Sequence, residues 1–157
     1  YVMASSLTTE RVEVGSPAAL LREWERFVSF AKTYKVNGEP ILHDPVVRNS
    51  LADMRVKIMM FRMLCYNGVW ESREGKDISR ISASARVLSG ELVQELWRGL
   101  TKILGNPALV MPGTWSDAPM NGFIGVNALM STGRTFGHGT KEIQRNILAQ
   151  RGLGLPR

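Results

Sequence analysis

The sequence predicts an all-α protein, an up-and-down helical bundle, on three observations. Apolar residues recur at three- and four-residue spacing along most of the chain, which places them on single helix faces. The periodic stretches are separated by cap-plus-proline or glycine signals. No segment carries the two-residue alternation of a half-buried strand, so none is expected. With 157 residues, 44% of them apolar and 22% charged, residues 1–157 are expected to form one domain with a real core.

The first helix is read between Ala18 and Tyr34, with Leu20, Leu21, Trp24, Phe27, Val28, Ala31 and Tyr34 on one face. Ser16-Pro17 supplies an N-cap followed by proline at the first helical position, although a start near Thr8 with a kink is the alternative. Asn37-Gly38-Glu39-Pro40 signals a turn. Asp44-Pro45 then starts a long second helix whose inward residues are Val47, Leu51, Met54, Ile58, Phe61, Cys65 and Val69. Asp77 caps a third, with Ile78, Ile81, Ala85, Leu88, Leu92, Leu96, Leu100 and Ile103 inward, ended by Gly105-Asn106-Pro107. Pro107 to Pro119 reads as an ordered loop. A shorter helix is expected over about Asn121 to Arg134, and a last one from Thr140 with Ile143, Ile147 and Leu148 inward. Short connections between such helices force neighbours to run antiparallel.

Composition excludes several classes of function. The net charge of +6 comes from 20 basic and 14 acidic residues that are scattered, which fits a solvated surface better than a nucleic-acid face. Cys65 is the only cysteine, so neither an intramolecular disulfide nor a cysteine-based zinc site can form, and a reducing, cytoplasmic setting is expected. Two histidines, His43 and His138, are too few for an ordinary histidine metal site, and no metal is expected. The most apolar run, Val56 to Tyr66, is broken by Lys57 and Arg62, so no membrane span is expected. No secretory signal is visible, and a start on Tyr1 reads as a piece of a longer protein.

The residues alone offer little chemistry. Cys65 sits on an apolar face with no activating neighbour. Met54, Met59, Met60 and Met63 read as adaptable core filling, and the dispersed Trp24, Trp70, Trp97 and Trp115 as packing residues. Gly137-His138-Gly139-Thr140 leads straight into a helix, an arrangement that suits a phosphate group, although Thr140 as a plain cap explains it equally.

The carboxyl end, Gly139-Thr140-Lys141-Glu142-Ile143-Gln144-Arg145 followed by Asn146-Ile147-Leu148-Ala149, resembles the closing signature of acyl-CoA dehydrogenases, Gly-Thr-x-Glu/Gln-Ile-Gln-Arg. Asp44-Pro45-Val46-Val47-Arg48 with Leu51-Ala52, and Ala85-Arg86 with Leu88-Ser89-Gly90, agree in order and spacing, so the resemblance spans nearly the whole chain. It implies the C-terminal helical domain of an FAD-dependent enzyme that oxidises an acyl-CoA to a trans-2-enoyl-CoA. An N-terminal helical domain and a middle β-domain would then precede it, and residues 1–157 alone are expected to be inactive.

The resemblance also assigns residues. In many members the catalytic glutamate stands just before the closing Gly-Thr, where this chain has His138. A second group, which resembles the long-chain and isovaleryl enzymes, supplies the base from the start of the first long helix, beside an arginine. Thr8-Thr9-Glu10-Arg11 matches that site, making Glu10 the expected base and Arg11 its neighbour at the substrate. A glutamate enclosed by acyl chain and flavin would have its pKa raised toward neutrality; a surface glutamate in a first helical turn is the alternative. Leu7, Arg11 and Gly139 are implied at the acyl-CoA substrate, and Thr140, Lys141 and Glu142 at FAD. The family's Arg-x-x-Phe-Gly segment and the glutamine after it stand here as Tyr34 to Gly38 and Pro45, and its Gly-Gly-x-Gly loop is missing. Such departures fit a branch in which unlike subunits share flavin sites. The implied partners are an electron-transfer flavoprotein and a second subunit, in a homo- or hetero-oligomer, dimer or tetramer. An assembly subunit without chemistry is the second reading.

Overall fold

The computed structural model of the chain describes residues 16–136 and 139–156. Its described residues form the expected helical bundle, with helices α1 (Pro17–Ala31), α2 (Pro45–Arg73), α3 (Ser79–Leu104), α4 (Phe123–Gly133) and α5 (Lys141–Ile147). Pro17 opens α1 at the position where its missing N–H costs nothing. The Ser16 hydroxyl makes no cap hydrogen bond; instead the Ser16 carbonyl accepts from the N–H groups of Ala19 and Leu20 at 2.9 and 3.3 Å. The alternative start near Thr8 lies outside the described residues. The helix stops at Ala31, and Tyr34, expected within it, instead stacks on Phe30 with ring centroids 4.7 Å apart.

The turn that follows is a small β-hairpin, which the sequence reading did not expect. Lys35–Val36 (β1) pairs antiparallel with Glu39–Pro40 (β2) across Asn37 (φ 53) and Gly38 (φ 86). Two successive positive φ angles are what a type I′ hairpin turn demands, and Asn-Gly adopts them at least cost. Two residues per strand are too few for an alternating pattern to show.

A 3-10 turn, Ile41–His43, leads to Asp44, whose carboxylate accepts the Val46 N–H at 2.8 Å and so caps α2 as expected. The buried stripe of α2 is Val47, Leu51, Met54, Ile58, Phe61, Cys65 and Gly68. Val69, placed inward by the sequence reading, is exposed, and Gly68 takes its place. A Cβ on Gly68 would lie 3.0 Å from the Ile81 side chain, so α2 and α3 come together where one of them has no side chain. The methionines divide. Met54 is buried, whereas Met60 and Met63 are more than half exposed and join Val56, Tyr66 and Trp70 in an apolar stripe on the outer side of α2. Core filling therefore holds for Met54, with Met59 half-buried; the residues at 60 and 63 lie across the helix from the 47-51-54-58-61-65 face.

Asp77 caps α3 from one position further out than the helix end: its carboxylate accepts the Ser79 N–H at 2.9 Å. This holds the carboxyl below its ordinary value, the Ser79 hydroxyl and N–H being the main causes. Of the inward positions predicted for α3, Ile81, Ala85, Leu92, Leu96 and Leu100 are buried, and Ile78, Leu88 and Ile103 are half-buried. A second face is buried as well, carrying Ser82, Arg86, Ser89, Gly90, Val93 and Trp97. α3 is the axis of the bundle, touching α1, α2, α4 and α5. Full burial of a side chain such as Phe27, Ile58, Phe61 or Leu96 contributes about 1.5–3 kcal/mol each.

Gly105 (φ 65) ends α3 as expected. The segment 107–119 is loop and turn, with 3-10 turns at Asn106–Leu109 and Pro119–Gly122. Met120, Asn121 and Gly122 all have left-handed backbone, with φ 50, 56 and 75, so α4 starts at Phe123 and not at Asn121. Gly122 packs against the backbone of residues 110–112, and Trp97 meets Phe123 edge-on at 5.5 Å. The last helix does start after Thr140, but its inward residue is Gln144, fully buried, with Ile147 and Leu148 half-buried. Ile143, expected inward, is about half exposed, because the face that meets α3 is the 144-147-148 side. A π-turn, Leu148–Gly152, completes the fold.

Candidate functional site

Of the residues expected at substrate and cofactor, Gly139, Thr140, Lys141 and Glu142 are described, and they are consecutive. Leu7, Glu10, Arg11 and His138 lie outside the described residues. Gly139 has φ +97, a conformation that suits glycine, and delivers the chain to Thr140 in extended geometry. Thr140 is a side-chain N-cap, its hydroxyl oxygen accepting the Ile143 N–H at a long 3.4 Å. Lys141 is exposed. The Glu142 carboxylate accepts from its own backbone N–H and interacts with the Thr140 hydroxyl, and these contacts hold its pKa below the ordinary value. The start of α5 therefore already carries a carboxylate against its N–H groups, which opposes the phosphate reading of the glycine-flanked segment. What remains is a hydroxyl, a lysine and a carboxylate side by side, a mixed donor and acceptor set suited to a hydrogen-bonding ring edge or a polyol chain.

This segment rests on α3. Arg145 and Glu91 form an ion pair at 2.8 Å, and Arg151 donates to the Ser79 hydroxyl at 3.3 Å. Deeper in, Arg86 is only 4% exposed and its guanidinium Nη2–H donates to the Arg134 carbonyl at the end of α4, at 2.6 Å. Gly90 lies one turn along α3, where a Cβ would stand at ordinary contact distance from the Arg86 guanidinium, 3.5 Å, and from Thr135, 3.8 Å. Arg86, Gly90, Thr135, Gly139 and Lys141 line one narrow cleft of about 10 Å³, room for about one water molecule. The sequence reading quoted Arg86 as part of a motif and gave it no role. The signal that could have marked it is the helical spacing of Ser82, Arg86, Ser89, Val93 and Trp97, a second stripe on a helix whose first stripe is already apolar.

Other concave surfaces are open and of mixed charge. A groove of about 360 Å³ runs along Glu91, Glu95, Arg98 and Lys102, and a recess of about 390 Å³ lies by the hairpin, between Asn37, Glu39, His43 and Ile103. His43 and Glu39 pair at 3.1 Å on the surface. Lys57 is held between Asp53, at 2.7 Å, and Glu95, and both contacts raise its pKa. Burial pushes the Cys65 thiol up, away from the thiolate form. Among the described residues there is no cluster of three or more His, Cys, Asp or Glu able to hold a metal ion, and no helix long and apolar enough to cross a membrane.

A helical bundle that closes on a capped Gly-Thr segment braced against its central helix is the architecture of a known domain class. The family model described as "Acyl-CoA dehydrogenase, C-terminal domain" matches residues 1–153, and the chain belongs to that family. Among its relatives, the acyl-CoA dehydrogenase FadE29 of Mycobacterium tuberculosis (strain ATCC 25618 / H37Rv) is 30% identical, the match covering 99% of this chain and 39% of that protein. FadE26 of the same organism is 27% identical over 99% of this chain and 40% of its own length. A solved structure described as the Tcur3481-Tcur3483 steroid ACAD is 28% identical with a TM-score of 0.83, over 96% of this chain and 38% of that one. The chain thus spans about two fifths of the length of these relatives.

Proposed function

We propose that the chain is the C-terminal domain of an FAD-dependent acyl-CoA dehydrogenase that removes the α-proton of an acyl-CoA and passes the β-hydrogen to flavin, giving a trans-2-enoyl-CoA. The observation that carries this reading is the family match over residues 1–153. Glu10 is the base, Arg11 supports it, and Leu7 and Gly139 border the substrate. Thr140, Lys141 and Glu142 contact FAD, a role that their mixed donor and acceptor set fits. When bound, the flavin supplies the hydride acceptor. The residues of this chain hold and orient substrate and ring and take the proton at a glutamate carboxylate. An electron-transfer flavoprotein receives the electrons in turn.

A second reading, a non-catalytic subunit of a heteromeric dehydrogenase, is favoured by His138 at the position where many members carry their glutamate. The paired names in the Tcur3481-Tcur3483 steroid ACAD support an assembly of unlike chains and add steroid acyl-CoAs to the substrate panel. The deciding experiment is anaerobic flavin bleaching by fatty, branched and steroid acyl-CoAs, on the full-length protein with any co-encoded partner, for wild type and Glu10→Gln. Bleaching by wild type, with Glu10→Gln retaining FAD and failing to bleach, is the expected result. Equal bleaching by both removes the base assignment, and a folded wild type without flavin establishes the assembly reading.

A further inference from the structure

We propose that Arg86 is a positioning residue for the cofactor segment: its buried guanidinium clamps the end of α4 onto α3, and so sets where Thr140 to Glu142 are presented to FAD. The inference rests on the flavin reading above.

Three features carry it. The first is burial. An arginine 4% exposed at the centre of a bundle costs desolvation, and it is retained at low energy only where its donors are engaged. The second is its partner. Arg134 terminates α4, so its carbonyl is one of the acceptors that a helix end leaves without an intrahelical bond, at the negative pole of the helix dipole. A guanidinium donating there at 2.6 Å caps α4 from the central helix, across 48 positions of sequence. The third is the shared cleft. Arg86 and Thr135 line it together with Gly139 and Lys141, the two neighbours of Thr140. Through its bond to the Arg134 carbonyl, Arg86 fixes where α4 stops, Arg134 standing six residues before Thr140.

The test uses the full-length protein with any co-encoded partner, as wild type, Arg86→Met, Arg86→Lys and Ile58→Val. Ile58 is fully buried on α2, away from the cleft, and serves as the control for stability lost without loss of the clamp. FAD dissociation constants are read by flavin fluorescence, and amide exchange is followed in residues 139–143. Losing a charged hydrogen bond predicts FAD binding weakened roughly tenfold in Arg86→Met. Faster exchange in residues 139–143 should accompany it. Arg86→Lys keeps the cation and one donor and should recover most of the affinity, while Ile58→Val lowers the melting temperature and leaves FAD affinity unchanged. The proposal is overturned if Arg86→Met binds FAD like wild type, or if Ile58→Val weakens FAD as much. Should Arg86→Met fail to fold, Arg86→Gln, which loses the cation and is too short to reach the Arg134 carbonyl, takes its place: faster exchange in residues 139–143 with weakened FAD supports the clamp, and wild-type values in both overturn it. A wild type that folds and holds no flavin is a different failure, of the cofactor reading itself, and takes this proposal with it.

Discussion

Replacing Gly122 with alanine should be the most costly glycine substitution at a turn of this fold, for two separable reasons. Gly122 has φ +75, and an L-residue in that region costs about 1–2 kcal/mol. The added Cβ would also stand 2.5 Å from the Pro112 nitrogen, 2.7 Å from the Met111 carbonyl carbon and 2.8 Å from the Val110 oxygen, where ordinary contact begins at 3.4 Å. All three are backbone atoms, so no side-chain rotation relieves the overlap and the 110–112 segment must retreat. Overpacking of that kind costs about 1–3 kcal/mol. Gly75 provides the internal control: its φ is +70, and a Cβ there would meet nothing within 4 Å. Gly75→Ala therefore carries the backbone cost alone. The two costs together give roughly 2–5 kcal/mol for Gly122→Ala, or a melting temperature lower by about 4–20 °C at the 2–4 °C per kcal/mol expected for a domain of this size. The assay is thermal unfolding followed by circular dichroism at 222 nm, with urea midpoints as a second measure. Equal losses in the two variants would falsify the close-approach argument, because the backbone cost would then account for everything.

Two further outcomes follow from individual side chains. Asp77→Ala should destabilise the chain by about 1 kcal/mol at neutral pH through loss of the α3 cap. Because the Asp77 carboxyl is lowered on folding, its contribution is complete above the ordinary carboxyl value of 3.8 and is lost as pH falls through the folded value. Wild type and variant should therefore converge in strong acid, and a gap independent of pH in urea titrations would refute the cap. Cys65, 7% exposed and with its thiol raised by burial, should resist a disulfide reagent in the native state and react fully after denaturation. Rapid stoichiometric labelling of the folded chain would contradict the burial described for α2.

Much of the bundle was legible in the sequence because its signals are local. Asp44-Pro45, Asp77 and Gly105 mark helix ends through hydrogen bonds or backbone geometry made within a few residues, and the structure makes each of them. What escaped depends on distance in sequence. Val69 lost its inward place to Gly68 because of where Ile81 lies on another helix, and Met60 and Met63 turned outward although their composition suited a core. Ile143 is exposed because α5 meets α3 through Gln144, a contact that no periodicity in seven residues can specify. The hairpin at Asn37-Gly38 was read as a turn but not as strands, since two residues each show no alternation. In the candidate site, the segment Gly139 to Glu142 was found by motif. Arg86 belongs to that motif's companions, but its partner, the Arg134 carbonyl, lies 48 positions away, beyond the reach of any local pattern.

The burial of two faces of α3 also fixes how substitutions will be tolerated along the chain. A helix with one wet face records its orientation as a rhythm: every third or fourth position resists change while those between drift freely. α1 and α2 have such wet faces and should show that rhythm in a saturation library. α3, with fourteen of its residues buried, keeps only a narrow wet edge at Arg80, Glu95, Arg98 and Lys102, and its tolerance map should be low at most other positions from Ser79 to Leu104. The central helix would then be the part of this domain whose sequence is set most by the size of the space around it.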